Sequence, residues 1–120
     1  MPPKTRDPRS FLPLTPRVFH VLLALAEKPL HGYGVILEVQ QQTAGVIVLR
    51  TGTLYVLLRR LLDQKLITES DERAAPEVDD ERRRYYALSE LGRQVIQAES
   101  KRLELVLQTA RRARVFGRPR

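Results

Sequence analysis

Apolar positions along the chain fall into runs of two periods, and the periods predict the elements. Val18, Phe19, Val21, Leu22, Leu25 and Ala26 recur with the spacing of a helix face. Thr15 precedes them as a candidate N-cap, Pro16 suits the first helical position and Pro29 stops the run, so a first helix is predicted over 16–28. Leu30-His31-Gly32-Tyr33-Gly34 reads as a turn leading into a second helix over about 32–43, with Val35, Ile36 and Val39 on its apolar side and Gly45 as its stop. Val46-Ile47-Val48-Leu49 is a short connector rich in β-branched residues. Thr51 then offers a cap for a third helix over about 52–64, carried by Leu54, Tyr55, Leu58, Leu61 and Leu62.

Residues 66–70 and 83–88 predict the two strands of an antiparallel hairpin. The twelve residues from 71 to 82 that join them are too polar to pack and are expected to be mobile. Ser89 is a further cap candidate, and from 90 to 114 there is no proline and only Gly92 among the glycines. A helix of up to 25 residues, ~37 Å long, follows from 1.5 Å per residue. Ile96, Leu103, Val106, Ala110 and Ala113 lie close to one seam of an a/d pattern, and Leu91, Val95, Leu105 and Leu107 widen it. A monomer would leave part of that surface wet. Burial at ~25 cal/mol per Å² favours a partner helix, so a homodimer is expected, with Ile96, Leu103, Val106 and Ala110 at its seam.

Composition narrows the function. A chain of 120 residues supports one modest core. Its 21 Lys and Arg against 14 Asp and Glu give a formal charge of +7, which makes a polyanion the partner to test first. The charge is uneven, since residues 71–81 hold six acids and one arginine. The absence of cysteine excludes disulfides, thiolate metal sites and a cysteine nucleophile, and the cytoplasm is the default location. The longest apolar run, from Val21 to Ala26, is six residues against the ~20 that span a bilayer, so no membrane partner is expected. Residues 1–14 hold four of the eight prolines and three basic residues, and read as a flexible basic arm. His20 and His31 are the only histidines, so no metal site is expected. Gly32 and Gly34 lack the preceding strand and the following Lys-Ser/Thr of a phosphate-cradling loop, so no cofactor is expected. No acylating Ser-His pair or paired-carboxylate pocket can be assembled, and no catalytic residue is assigned.

Two helices followed by a hairpin is the order of a winged helix-turn-helix. Its third helix fills the ~12 Å major groove of DNA and presents its N-terminal end to phosphates and base edges. Arg50, Thr51, Thr53, Tyr55 and Arg59 stand at the start and outer side of that helix and are candidate DNA contacts. Thr51 has a second reading as a cap only. Tyr33 has two readings of equal weight, a phosphate hydrogen bond or a ring buried beneath the turn. Arg82, Arg83 and Arg84 either grip phosphate or guard a strand edge with charge. Phosphate would repel the acidic tip, so any contact from the wing falls to these three arginines.

Four strings carry a resemblance: Leu30-His31-Gly32-Tyr33-Gly34-Val35-Ile36, Gly52-Thr53-Leu54-Tyr55, Leu58-Arg59-Arg60-Leu61, and Arg82-Arg83-Arg84-Tyr85-Tyr86-Ala87-Leu88-Ser89-Glu90-Leu91-Gly92. In this order, across roughly residues 14–107, the chain resembles the PadR family of bacterial transcriptional regulators in its short form. The resemblance implies a homodimeric repressor that dimerises through its C-terminal helix and binds double-stranded DNA at an inverted repeat. Short members of that family can bind a small, flat hydrophobic effector between protomers, often with aromatic side chains. Here Trp is absent and Phe116 is the one aromatic residue beyond Tyr86. Two further departures are Val56, where the family often has proline, and Lys65, where glycine is usual. The expected fold is mainly α with a small β-hairpin: a winged-helix domain over 15–88, a dimerisation helix over 89–114 and a basic tail over 115–120. An alternative function on the same scaffold is a protein–protein adaptor that binds no DNA, using the C-terminal helix and the acidic loop.

Overall fold

The computed structural model describes residues 6–70 and 84–117. Among these residues, four helices accompany a small three-stranded antiparallel sheet. Helix α1, Pro16–Ala24, starts as anticipated, with the Thr15 hydroxyl accepting from the Val18 amide at 3.3 Å. It ends four residues before 28. The Ala26 amide closes back on the Leu23 carbonyl in a tighter turn, because the residue before Pro29 disfavours helical backbone and the chain must next supply a strand. That strand, β1, is Leu30–His31, paired with Tyr86 and Tyr85. The sequence reads as a turn there because two residues are too few to show alternation. A strand therefore does precede Gly32, but the Lys-Ser/Thr of a phosphate loop is still missing.

Helix α2, Gly32–Gln42, is capped by His31, whose Nδ1 accepts from the Gly34 amide at 3.1 Å. The connector that follows is not a strand. Its Ile47 amide is taken instead by the Thr43 hydroxyl at 3.0 Å, and Leu49 plugs into the core. Helix α3 is Thr51–Asp63, with Arg50 at the N-cap, so Thr51 is its first residue and not its cap. Lys65 follows at φ +66°, the left-handed region in which a side chain is strained, which accounts for glycine being usual there.

Strands β2, Ile67–Ser70, and β3, Tyr85–Leu88, form the expected hairpin in the register Ile67 to Leu88 and Glu69 to Tyr86. With β3 central, the sheet order is β1-β3-β2. The acidic tip, with Arg82 and Arg83, lies outside the described residues. Helix α4, Glu90–Arg112, begins at Ser89, whose hydroxyl accepts from the Gly92 amide and donates to the Lys65 carbonyl at 2.6 Å. Helix and hairpin are thereby joined at one residue.

The core gathers Val21, Leu22 and Leu25 of the first helical segment, Val35 and Val39 of α2, Leu54, Leu58 and Leu61 of α3, Leu66, Ile67 and Tyr86 of the hairpin, and Val95 and Ile96 of α4. Ile96 is 6% exposed, so it belongs to this core and is not free to form a seam with a second helix. The N-terminal segment departs from the expected flexible arm. From Asp7 it makes a 3-10 turn over Pro8–Phe11 that lies against α4, with Phe11, Leu12 and Leu14 half-buried on the core. Proline-rich composition hides these three apolar anchors. They are held by a polar one: the Leu14 amide donates to Glu99 Oε2 at 2.7 Å, and Glu99, 1% exposed, is ion-paired to Arg102.

Candidate nucleic-acid interface

Helix α3 buries Leu54, Leu58 and Leu61, half-buries Leu57 and Leu62 on either side of them, and leaves its remaining residues exposed. Thr51, Thr53, Tyr55 and Arg59 are all exposed, as is Arg50 just before the helix. The Arg59 side chain is 81% exposed; its partner one turn on, Asp63, is 3.9 Å away, a loose tether that leaves the guanidinium free to turn outward. Val56 and Arg60 share this outward face, and neither is among the contacts that the sequence suggests. The available signal was an apolar residue out of step with the 54-58-61 stripe: Val56 is 65% exposed with no role in packing.

The leading end of α3 is open. Thr15, His31 and Ser89 cap α1, α2 and α4 with side-chain acceptors, whereas Arg50 provides α3 with none. Among the described residues a Cβ built on Gly52 would meet nothing within 4 Å, so the first turn is open on that side. Free N–H groups and the positive end of the helix dipole favour an anion there.

Tyr33 stands 64% exposed on the first turn of α2, so its ring is not buried beneath the turn. Tyr55 leans toward the same turn, its hydroxyl 2.8 Å from where a Cβ on Gly32 would lie, and the missing side chain gives it a seat. Between α3 and the hairpin runs a hollow of about 390 Å³. Leu58 and Leu62 line it with Tyr55, Arg59, Glu69, Arg84 and Tyr86. Arg84 Nη1 is 3.2 Å from Glu69 Oε1, with both side chains more than half exposed. Burial pushes the Tyr86 phenol up, reinforced by Tyr55 and Glu69 and opposed by Arg84. On the other flank of α3, Thr53 and Leu57 face Pro16 and Ile47 across a second hollow of about 420 Å³.

The expected dimer residues lie elsewhere. Beyond Glu99, α4 leaves the core, and Leu103, Leu105, Val106 and Leu107 are all more than a third exposed, with Ala110 half-buried. Among the described residues no group of His, Asp or Glu could hold a metal ion, and no helix is long and apolar enough to cross a membrane.

The model of the Transcriptional regulator PadR-like family matches residues 21–98. The chain belongs to this family. The match contains all four strings noted in the sequence and ends within α4, just before Glu99. No curated protein sequence shows a significant match. Among solved structures, the fold is shared with a PadR family transcription regulator from Clostridium difficile R20291, at a TM-score of 0.66 and 20% identity, covering 82% of this chain and 97% of that one. A Streptococcus transcriptional regulator gives 0.65 and 24%, covering 81% and 90%. Bacillus subtilis PadR, solved in complex with operator DNA, gives 0.55 and 18%, covering 68% of this chain and 45% of that one. The PadR-like winged helix is therefore this chain's architecture, with one long C-terminal helix.

Proposed function

We propose that this PadR-like regulator binds double-stranded DNA sequence-specifically as a homodimer in the cytoplasm and represses transcription from an inverted repeat. The observation that carries the reading is α3. A helix held by one leucine stripe, uncapped at its leading end and bare on its outer side, is shaped to enter a major groove. In this reading residues 15–88 form the DNA-binding unit and 89–114 the dimerisation helix. Thr51 and Thr53 with the first-turn amides meet phosphate and base edges, Val56 meets a thymine methyl, and Arg50, Arg59, Tyr33 and Tyr55 hold the flanking backbone. Arg84 approaches from the hairpin, and the same phosphate role is proposed for Arg82 and Arg83, its neighbours in the sequence. The operator-bound B. subtilis relative supports the choice of ligand.

Fluorescence anisotropy on an inverted-repeat duplex from the protein's own promoter tests this. Binding ~10³-fold or more tighter than to scrambled DNA is expected. Equal affinity for the two would overturn sequence specificity, and no binding to any duplex at low salt would overturn the DNA reading. Arg59→Ala should weaken operator binding by about tenfold while leaving the sedimentation mass unchanged. The converse holds for Leu103→Asp. A charge on this exposed apolar position should halve the sedimentation mass while the monomer keeps its helical circular dichroism. An unaltered mass would remove Leu103 from the dimer contact.

A further inference from the structure

We propose that the hollow between α3 and the hairpin is a seat for one DNA phosphate, and that Glu69 is its built-in competitor. In the free protein the Glu69 carboxylate occupies the position at Arg84 that a backbone phosphate takes in the complex. The inference deepens the DNA-binding reading and rests on it.

The position follows from dimensions. A helix with its side chains is ~10–12 Å across and the major groove ~12 Å wide, so a helix inside the groove has a sugar-phosphate strand along each flank. The hollow lies on the flank of α3 that faces the hairpin, where one of those strands must pass. Its walls carry the donors a phosphate needs: the guanidinium of Arg59 and the hydroxyl of Tyr55 from α3, and the guanidinium of Arg84 from the hairpin. Tyr55 is held toward this side by the space at Gly32.

Glu69 is the one acid among the described lining residues, and it is bound to one of these donors, at 3.2 Å from Arg84. A carboxylate presents two oxygens to a guanidinium much as a phosphodiester does. The pair contributes little to folding, because its side chains are 69% and 52% exposed and water screens them. What it does is occupy Arg84. Phosphate binding must break this contact or tolerate an anion beside it, and either lowers affinity without altering which sequence is preferred, because phosphates carry no sequence information. The acid thus speeds release from operator and non-operator DNA alike, by weakening a backbone contact that both share.

The test is salt-dependent anisotropy on the full chain with the operator and scrambled duplexes. Glu69→Gln should tighten binding to both by about fivefold at low salt, the scale of one exposed charge pair. It should also steepen the slope of log affinity against log salt by about 0.9, one additional phosphate contact. Arg84→Ala should weaken binding, and Glu69→Gln should add nothing in that background. Thermal melting should remain within a few degrees in each variant. An unchanged affinity and slope in Glu69→Gln would overturn the competitor role, as would a gain that persists without Arg84. Both leave the DNA reading standing, whereas failure of the wild-type chain to bind any duplex would remove both.

Discussion

Replacing Gly92 with alanine should destabilise the protein by about 3 kcal/mol, far more than a methyl group on a helix ordinarily costs. Intrinsic propensity points the other way, since alanine is favoured over glycine inside a helix by about 1 kcal/mol. The reason is the approach of α4 to the hairpin. A Cβ at position 92 would lie 2.1 Å from the Leu66 carbonyl oxygen and 2.8 Å from Leu88 Cδ1. The carbonyl cannot withdraw, because it accepts from the Ser89 amide at 3.0 Å, and the Ser89 hydroxyl is fixed to Lys65 next door. The whole helix must therefore back away from β2, loosening the contacts of Val95 and Ile96 with the core. A urea titration reads the loss directly as a fall in midpoint. A midpoint at or above that of the wild type would show that α4 can shift without cost.

The second large effect is expected at Glu99. Truncation to alanine leaves the Leu14 amide without its acceptor, strips Arg102 of its partner and opens a void, together about 2–3 kcal/mol at neutral pH. The figure is held down because the Arg102 side chain is 39% exposed and can rehydrate. The hydrogen bond from Arg102 holds the Glu99 carboxyl below the ordinary value of 4.5, against the upward push of burial and with help from the Leu14 amide. The unfolded chain therefore takes up this proton first as the pH falls. The stabilisation is complete above about pH 4.5 and is lost progressively as the pH drops through the lower folded value. Glu99→Gln keeps an oxygen for Leu14 but cannot titrate, so its stability should fall less steeply than that of the wild type between pH 5 and 3. Parallel acid limbs in the two proteins would show that Glu99 is not the group responsible.

Glu99 also shows where the sequence ceased to be legible. The stripe that α4 buries is Gly92, Val95, Ile96 and Glu99, a regular helical spacing whose last member is an acid. Hydrophobic patterning assigns a glutamate to the wet side and so places Ile96 with Leu103 and Val106 in one seam. The helix in fact changes surroundings between them. The N-terminal segment is illegible for the complementary reason: its proline content outweighs Phe11, Leu12 and Leu14, which find partners only in three dimensions. The limits of α2, α3 and the hairpin were readable because each couples a clear apolar period to a turn or polar boundary. The outer face of α3 was readable in part. Thr53, Tyr55 and Arg59 were recognisable from residue type and motif, whereas the bare start of the helix, the exposure of Val56 and the pairing of Arg84 with Glu69 are facts of packing that no spacing encodes.

The portion of α4 past Arg102 owes little to its own fold, and it lies outside the stretch that matches the family. Changes there escape the stability filter that constrains residues 92–99, so this stretch can drift at little cost to the rest of the molecule. If pairing runs through it, a lineage that duplicates such a regulator can alter which copies associate by editing a few solvent-facing leucines and valines, leaving operator choice to a helix that need not change at all.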